Sequence, residues 1–270
     1  PIHWADKKKS LRLATFNIRY DNSGDGPNSW PHRKDSICAF IHRVDPDIID
    51  MQEVLHHQLE VLKTGLPEYT VVGVGREDGK TAGEYAPIFF KQAKYTLLDQ
   101  NTFWLCEKPD SVGMVGWDAA LTRIATWVKL QDKKTGQILM VVNTHFDHIG
   151  TEARRNSALL IIEKIKEIVG TSPAILTGDF NVSEDWDAYK TITNNEFILK
   201  DAHKVAGKRT GVDFTYHNFG KIPAEKCEKI DFIFVTPQIR VISSYIPFSQ
   251  LNDTLFLSDH NPEIVELEIK

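Results

Sequence analysis

Cysteine is scarce in this sequence. Cys38, Cys106 and Cys227 are odd in number, far apart and without a CxxC pair, which argues against both a disulfide framework and a thiolate zinc site. No apolar run approaches the ~20 residues a membrane-crossing helix needs, so no transmembrane segment is expected. Internal repeats, low-complexity tracts and Pro/Gly/Ser-rich linkers are also missing. The 270 residues, enough to bury a sizeable core, therefore read as one continuous domain over 1–270, expected to act as a monomer. Nor is there an excess of positive charge: 32 Lys+Arg against 37 Asp+Glu leave a formal net charge of -5. That excludes a grip on long nucleic acid through bulk charge while leaving room for a local basic groove. Residues 1–10, with Lys7-Lys8-Lys9, read as a solvated leader. Because the sequence opens Pro1-Ile2-His3 with no initiator methionine, the compartment stays open, export with a removed N-terminal signal being one expectation.

What is present is a strand-rich pattern. "LRLATFNIRY" alternates before the loop "DNSGDGPNSW". Ile37, Phe40, Ile41 and Val44 fall at helical spacing up to Asp45-Pro46, "DIIDMQEV" reads as a buried strand ending at Gln52-Glu53, and Leu55, Leu59 and Leu62 mark a short helix. Strand patterns follow in "YTVVGVG", "APIFFK", "TRIATWVKLQD" and "QILMVVNTHFD", the last two joined as a hairpin through "KKTG". The clearest helix is "TEARRNSALLIIEKIKEIVG", with Ala158, Ile161, Ile162, Ile165, Ile168 and Val169 on one stripe and Gly170 as its stop. It leads into "AILTGDF" and a helix in "SEDWDAYKTI"; "KIDFIFVTP", "IRVISSYIPF" and "EIVELEIK" are later strands. Hairpins mix with crossovers and several strands read as buried on both faces, so the expected fold class is α/β, two packed sheets with helices outside.

In "AILTGDFNVSEDW", Asp179 and Asn181 bracket Phe180. In an extended chain alternate side chains share a face, which would send Asp179 and Asn181 one way and Phe180 into the core. Such a pair either caps the following loop and helix or grips a cation, and the stretch alone leaves both readings open. The pattern recurs at other strand ends, in Asn17, in Glu53, in Asn143, His145 and Asp147 of "NTHFD", in Asp231, and in Asp259-His260. Any one of these is ordinary turn chemistry. Many separated strand ends offering only oxygen donors and imidazoles is not. Hard carboxylate and amide donors match Mg2+ or Mn2+. A cation held by Glu53 with Asn17 or Asp259 would polarise a phosphoryl oxygen. His260 would work as acid or base near neutrality. His145 and Asn181 would donate hydrogen bonds to the developing charge, each donor worth roughly 3 kcal/mol. The reaction class indicated is metal-assisted hydrolysis of a phosphate ester.

Taken in order, "TFNIR", "QEV", "NTHFDH", "TGDFN", "KIDFIF" and "SDHNP" resemble the motif series of the endonuclease/exonuclease/phosphatase superfamily, from Leu11 to Pro262. That superfamily includes pancreatic deoxyribonuclease, apurinic endonucleases, sphingomyelinases and deadenylases. "GREDGKTAGEYAPIFF" resembles a segment of its bacterial members. The resemblance implies a four-layered α/β/β/α sandwich with two mainly antiparallel, mixed sheets, and divalent-metal-dependent phosphoester cleavage. It further implies that Asn17, Glu53 and Asp259 lie on the metal side, Glu53 as main ligand. Asp179 and Asn181 would orient nucleophile and phosphate, His145 would stabilise the transition state, and Asp231 would orient a histidine, His260 doing acid-base work. "FNIR" lacks the acidic residue that apurinic endonucleases carry two positions after the asparagine.

Asn143, Arg76 and Arg123 are the expected substrate contacts. Arg123 precedes an apolar run where an unpaired cation would be costly, so a cleft or paired position is expected. Arg154 and Arg155 open the long helix, and Trp30, Trp104, Trp117 and Trp186 lie near loops, where each either packs or stacks on a ring. With negative net charge and no Lys/Arg-rich patch, the expected partner is a small phosphoester or an exposed nucleic-acid end, cleaved as a phosphodiesterase or phosphatase. The alternatives are a nuclease acting on DNA or RNA, and a binding module that kept the fold without the chemistry.

Overall fold

The structure, a computed structural model, describes residues 10–270. The leader expected over 1–10 thus lies outside the described residues except for Ser10, which is buried and donates to Glu266. The described elements are β1 (Leu11–Asn17), α1 (Trp30–Val44), β2 (Ile48–Gln52), α2 (His56–Gly65), β3 (Tyr69–Val72), β4 (Ile88–Lys91), β5 (Tyr95–Trp104), β6 (Ile124–Asp132), β7 (Ile138–His145), α3 (Thr151–Val169), β8 (Ala174–Asp179), α4 (Asp187–Thr193), β9 (Lys200–Asp201), α5 (Ala202–Val205), β10 (Lys208–Gly211), β11 (Asp231–Val235), β12 (Ile239–Ile246) and β13 (Glu263–Ile269). They form one seven-stranded sheet, ordered β10-β12-β13-β1-β2-β4-β3, and one six-stranded sheet, ordered β5-β6-β7-β8-β11-β9. Both sheets are mixed: β1–β2 and β7–β8 run parallel between antiparallel neighbours.

Three apolar layers account for the four-layered α/β/β/α sandwich. Ile37, Ile41 and Val44 of α1, with Leu59 and Leu62 of α2, pack on Ala14, Phe16 and Met51 outside the first sheet. Ala158, Ile161 and Ile165 of α3, with Tyr189 and Ile192 of α4, pack on Val142, Leu176, Phe180 and Phe232 outside the second. Leu13, Ile48, Val141, Ile175 and Ile233 meet between the sheets. Since strand side chains alternate, one parity of β1, β2, β7, β8 and β11 faces this middle layer along its whole length. Along it the residues change character, from Leu13, Ile48, Val141 and Ile175, through buried Thr15, Asp50, Gln52, Asn143 and Thr177, to Asn17, His145, Asp179 and Asp231 at one rim. The middle layer begins as a core and ends as a site.

Candidate active site

Strand register builds the site. The parallel β7–β8 pair sets His145 opposite Asp179, and the antiparallel β8–β11 pair sets Asp231 opposite the same Asp179, so three ionisable side chains stand in one cross-strand row. On the facing sheet, β1–β2 pairing sets Asn17 beside Gln52, and Glu53 follows with φ 60°. The chain before β13 brings Asp259 and His260 over the row, secured by a bridge between Tyr216 and His260. Arg19, Glu53 and Asn181 all adopt positive φ, a costly backbone for non-glycine residues that concentrates where function demands a side-chain direction.

Asn17 joins the two sheets: its Nδ2 donates to Glu53 Oε2 at 2.6 Å and to Asp179 Oδ2 at 3.0 Å, while its Oδ1 accepts from the Arg19 amide. Asn17 was expected on the metal side, and its amide stands against both carboxylates, Nδ2 bracing Glu53 and Asp179. Asp179 Oδ2 lies 3.4 Å from His145 Nε2 and 3.7 Å from His260 Nε2, and Oδ1 accepts from the Asn181 amide. Burial works against ionisation of Asp179, but the two imidazoles and the amide N–H outweigh it and hold the carboxyl well below its usual range. His260 Nδ1 pairs with Asp231 Oδ2 at 2.7 Å. Burial favours neutral imidazole, yet Asp231, Asp179 and Asp259 together push His260 well above its ordinary value.

Glu53, Asp179 and His260 each offer a ligand atom within 4.8 Å of the others. Asp259 stands beside them with its pKa raised to about 6, by burial and by the negative charge of Glu53, against the pull of His260 and Arg19. Carboxylates gathered at one rim, hard oxygen donors with no thiolate among them, fit a divalent cation of the Mg2+ or Mn2+ type. Glu53 would hold it with Asp259 beside it, leaving Asp179 to face the attacking water.

The remaining expected residues divide. His145 joins the row, its Nδ1 3.8 Å from Glu84 Oε1. Asn181 reaches the site by a turn, not by strand alternation: β8 ends at Asp179, Asn181 has φ 50°, and its Nδ2 donates to the Phe146 carbonyl at 2.7 Å while Phe180 is buried in the α3 layer. Arg76 and Arg123 line one narrow depression with His145 and Glu84. Both are paired there, Arg76 with Glu84 at 3.0 Å and Arg123 with Asp147 at 3.2 Å and His148 at 3.0 Å. Asn143 must be corrected. It shares a face with His145 but sits one pleat deeper, 0% exposed, donating to Met51 and Pro87 carbonyls and accepting from Gln52, so it ties the sheets together and has no route to substrate. Asp147 leaves the strand altogether and accepts backbone N–H groups of Ala120, Leu121, Ile149 and Gly150.

Four residues at the site were missed. Arg19 chelates Asp25 through Nε and Nη2, each at 2.9 Å, and places Nη1 3.8 Å from Asp259. Arg33, fully buried, donates to the carbonyls of Asn28, Ile18, Leu257 and Arg19 and so clamps the loops carrying Arg19 and Asp259. The signal was available: Arg33 precedes Ile37 and Ile41 on the apolar stripe of α1, where a cation needs buried acceptors. Tyr216 lays its ring 5.1 Å from that of His260, and Thr215 accepts the amide of Asp231. Those two come from the irregular stretch before β11, where no periodicity marks them.

The sequence model of the Endonuclease/Exonuclease/phosphatase family matches residues 14–260. Among solved structures the chain is similar to the endonuclease/exonuclease/phosphatase from Bacteroides vulgatus, with 62% identity, TM-score 0.94, and coverage of 97% of this chain and 99% of that one. It is also similar to a mannosyl-6-phosphatase from Bacteroides thetaiotaomicron, at 36% identity, TM-score 0.90, covering 96% and 99%. Drosophila melanogaster nocturnin is 22% identical over 270 residues; that match takes in 88% of this chain but only 41% of nocturnin's length.

Proposed function

Because the chain belongs to the endonuclease/exonuclease/phosphatase family, whose members include phosphatases and nucleases, we propose that it is a divalent-cation-dependent phosphoester hydrolase, working as one domain on a small phosphomonoester of the sugar-phosphate class. The observation that carries this reading is the convergence of Glu53, Asp179 and His260 on one rim of the stacked sheets, with His260 backed by Asp231. Support for a sugar phosphate comes from the mannosyl-6-phosphatase, which matches nearly end to end at 36% identity. The net charge of -5 speaks in the same direction, against duplex nucleic acid.

When bound, the cation supplies Lewis-acid polarisation of a phosphoryl oxygen. The chain's own residues do the rest. Asn17 fixes Glu53 and Asp179 in position. Asp179, held ionised, orients the attacking water and accepts its proton. His260, kept as imidazolium by Asp231, and His145 donate to non-bridging oxygens as charge builds on them, joined by the second amide hydrogen of Asn181. Water adds to phosphorus, the ester P–O bond breaks, the proton taken by Asp179 passes through solvent to the departing ester oxygen, and alcohol and inorganic phosphate leave. The test is a release assay over mannose 6-phosphate, p-nitrophenyl phosphate, bis-p-nitrophenyl phosphate and a short single-stranded oligonucleotide, each with Mg2+, Mn2+ or EDTA. Cation-dependent phosphate release from the monoesters is expected. Cleavage of the oligonucleotide alone would make the protein a nuclease, and no turnover of any ester would make it a binding module.

A further inference from the structure

Trp186 takes no part in the site above, yet its indole is 46% exposed just where the chain leaves Asn181 and Val182 for α4. It borders a groove of about 290 Å3 between the first turns of α3 and α4, floored by Val182 and Ala188 and edged by Asp185, Asp187 and Arg154. The Arg154 guanidinium sits 5.2 Å from the indole centroid, covering one face of the ring. Arg154 is only 4% exposed and donates through Nη1 to the Asp147 carbonyl, but its Nε–H is buried with no partner among the described residues. A buried cationic N–H without an acceptor is costly, and here it belongs to a residue that lines a groove.

The chemistry of the groove narrows its occupant. Asp185 and Asp187 repel phosphate and nucleic acid. Arg154 already supplies a cation to the aromatic face, so an ammonium ligand would meet a like charge. A pyranose ring suits the accessible groups: its C–H face lies on the free indole surface and its hydroxyls donate to the two carboxylates. We propose that this groove binds one sugar ring of a carbohydrate, at a site separate from the Glu53–Asp179–His260 hollow. This goes beyond the hydrolase reading and does not rest on it.

The test uses the full chain in EDTA, titrated with phosphate-free methyl α-D-mannopyranoside and methyl β-D-glucopyranoside, followed by saturation-transfer NMR and by tryptophan indole N–H shifts. Saturable binding of at least one glycoside is expected, with roughly millimolar Kd and one indole resonance moving. W186A should weaken it by at least ~10-fold, the equivalent of one ring contact. D185N/D187N should also weaken it while leaving the Trp186 platform in place. Unchanged circular dichroism and thermal unfolding of the variants separate lost binding from lost fold. Absence of saturable binding by both glycosides, or binding that survives W186A, overturns the proposal whatever the hydrolysis assays show.

Discussion

Replacing Asp231 by asparagine removes one charge from the centre of the site and changes almost nothing in shape. Asp231 Oδ2 meets His260 Nδ1 at 2.7 Å, and both residues are buried, so solvent does little to screen the pair. Opposite charges ~4 Å apart attract by about 4 kcal/mol at an effective dielectric constant of about 20. The amide oxygen of asparagine still accepts from the imidazole and recovers part of this, leaving a deficit of about 2–3 kcal/mol, or roughly 30- to 150-fold in kcat. The pH dependence tells this loss apart from general damage. Asp231 raises the pKa of His260, so the imidazolium persists to higher pH in the wild type, and its loss forms the alkaline limb of the rate profile. In D231N that limb should move toward acid. The assay is kcat for p-nitrophenyl phosphate from pH 5 to 10 at saturating Mg2+, with circular dichroism as the fold control. A variant within twofold of wild type across that range, its alkaline limb unmoved, would refute the role assigned to the pair.

Arg33→Met should destabilise the fold by at least about 3 kcal/mol in urea unfolding, because the carbonyls of Ile18, Asn28 and Leu257 lose their donor inside the protein. Asp147→Asn should lower stability by about 2 kcal/mol at pH 7, since an ionised acceptor of several backbone N–H groups becomes a neutral amide. Burial opposes ionisation of Asp147, but those N–H groups and Arg123 hold its pKa below the unfolded value. Its contribution is therefore complete above the ordinary carboxylate range and drains away as pH falls, so the gap in Tm between wild type and D147N should narrow between pH 5 and pH 3. Glu53→Gln should raise the Mg2+ concentration for half-maximal activity by at least ~10-fold, read by titration calorimetry and activation curves, with Tm in EDTA little changed.

The helices and buried strands were legible because their apolar periods are strong: α3 and its stripe, the β6–β7 hairpin and the β8 run all stand where the pattern placed them. The ten-residue β5 was not legible. It is an edge strand with an exposed "TLLDQN" stretch and a register shift between Leu97 and Asp99, so its alternation is lost. The two short strands β9 and β10 likewise carry too few residues to show a period. At the site, residue type and position at strand ends singled out Glu53, Asp179 and His260, which the fold brings together. Depth did not show, because alternation reports which face a residue takes and not how far along the layer it lies; Asn143 and His145 share a face but serve different roles. Nor could local sequence reveal that Asp231 stands opposite Asp179, a consequence of non-local register, or that four backbone carbonyls around Arg33 would satisfy a buried cation.

Crystals soaked in Mn2+ and measured at the manganese absorption edge address the cation hollow directly. The proposed site predicts an anomalous peak against the carboxylates of Glu53 and Asp259, next to Asp179, and lost in E53Q. Manganese bound only elsewhere, in a protein whose hydrolysis nevertheless depends on Mn2+, would contradict it.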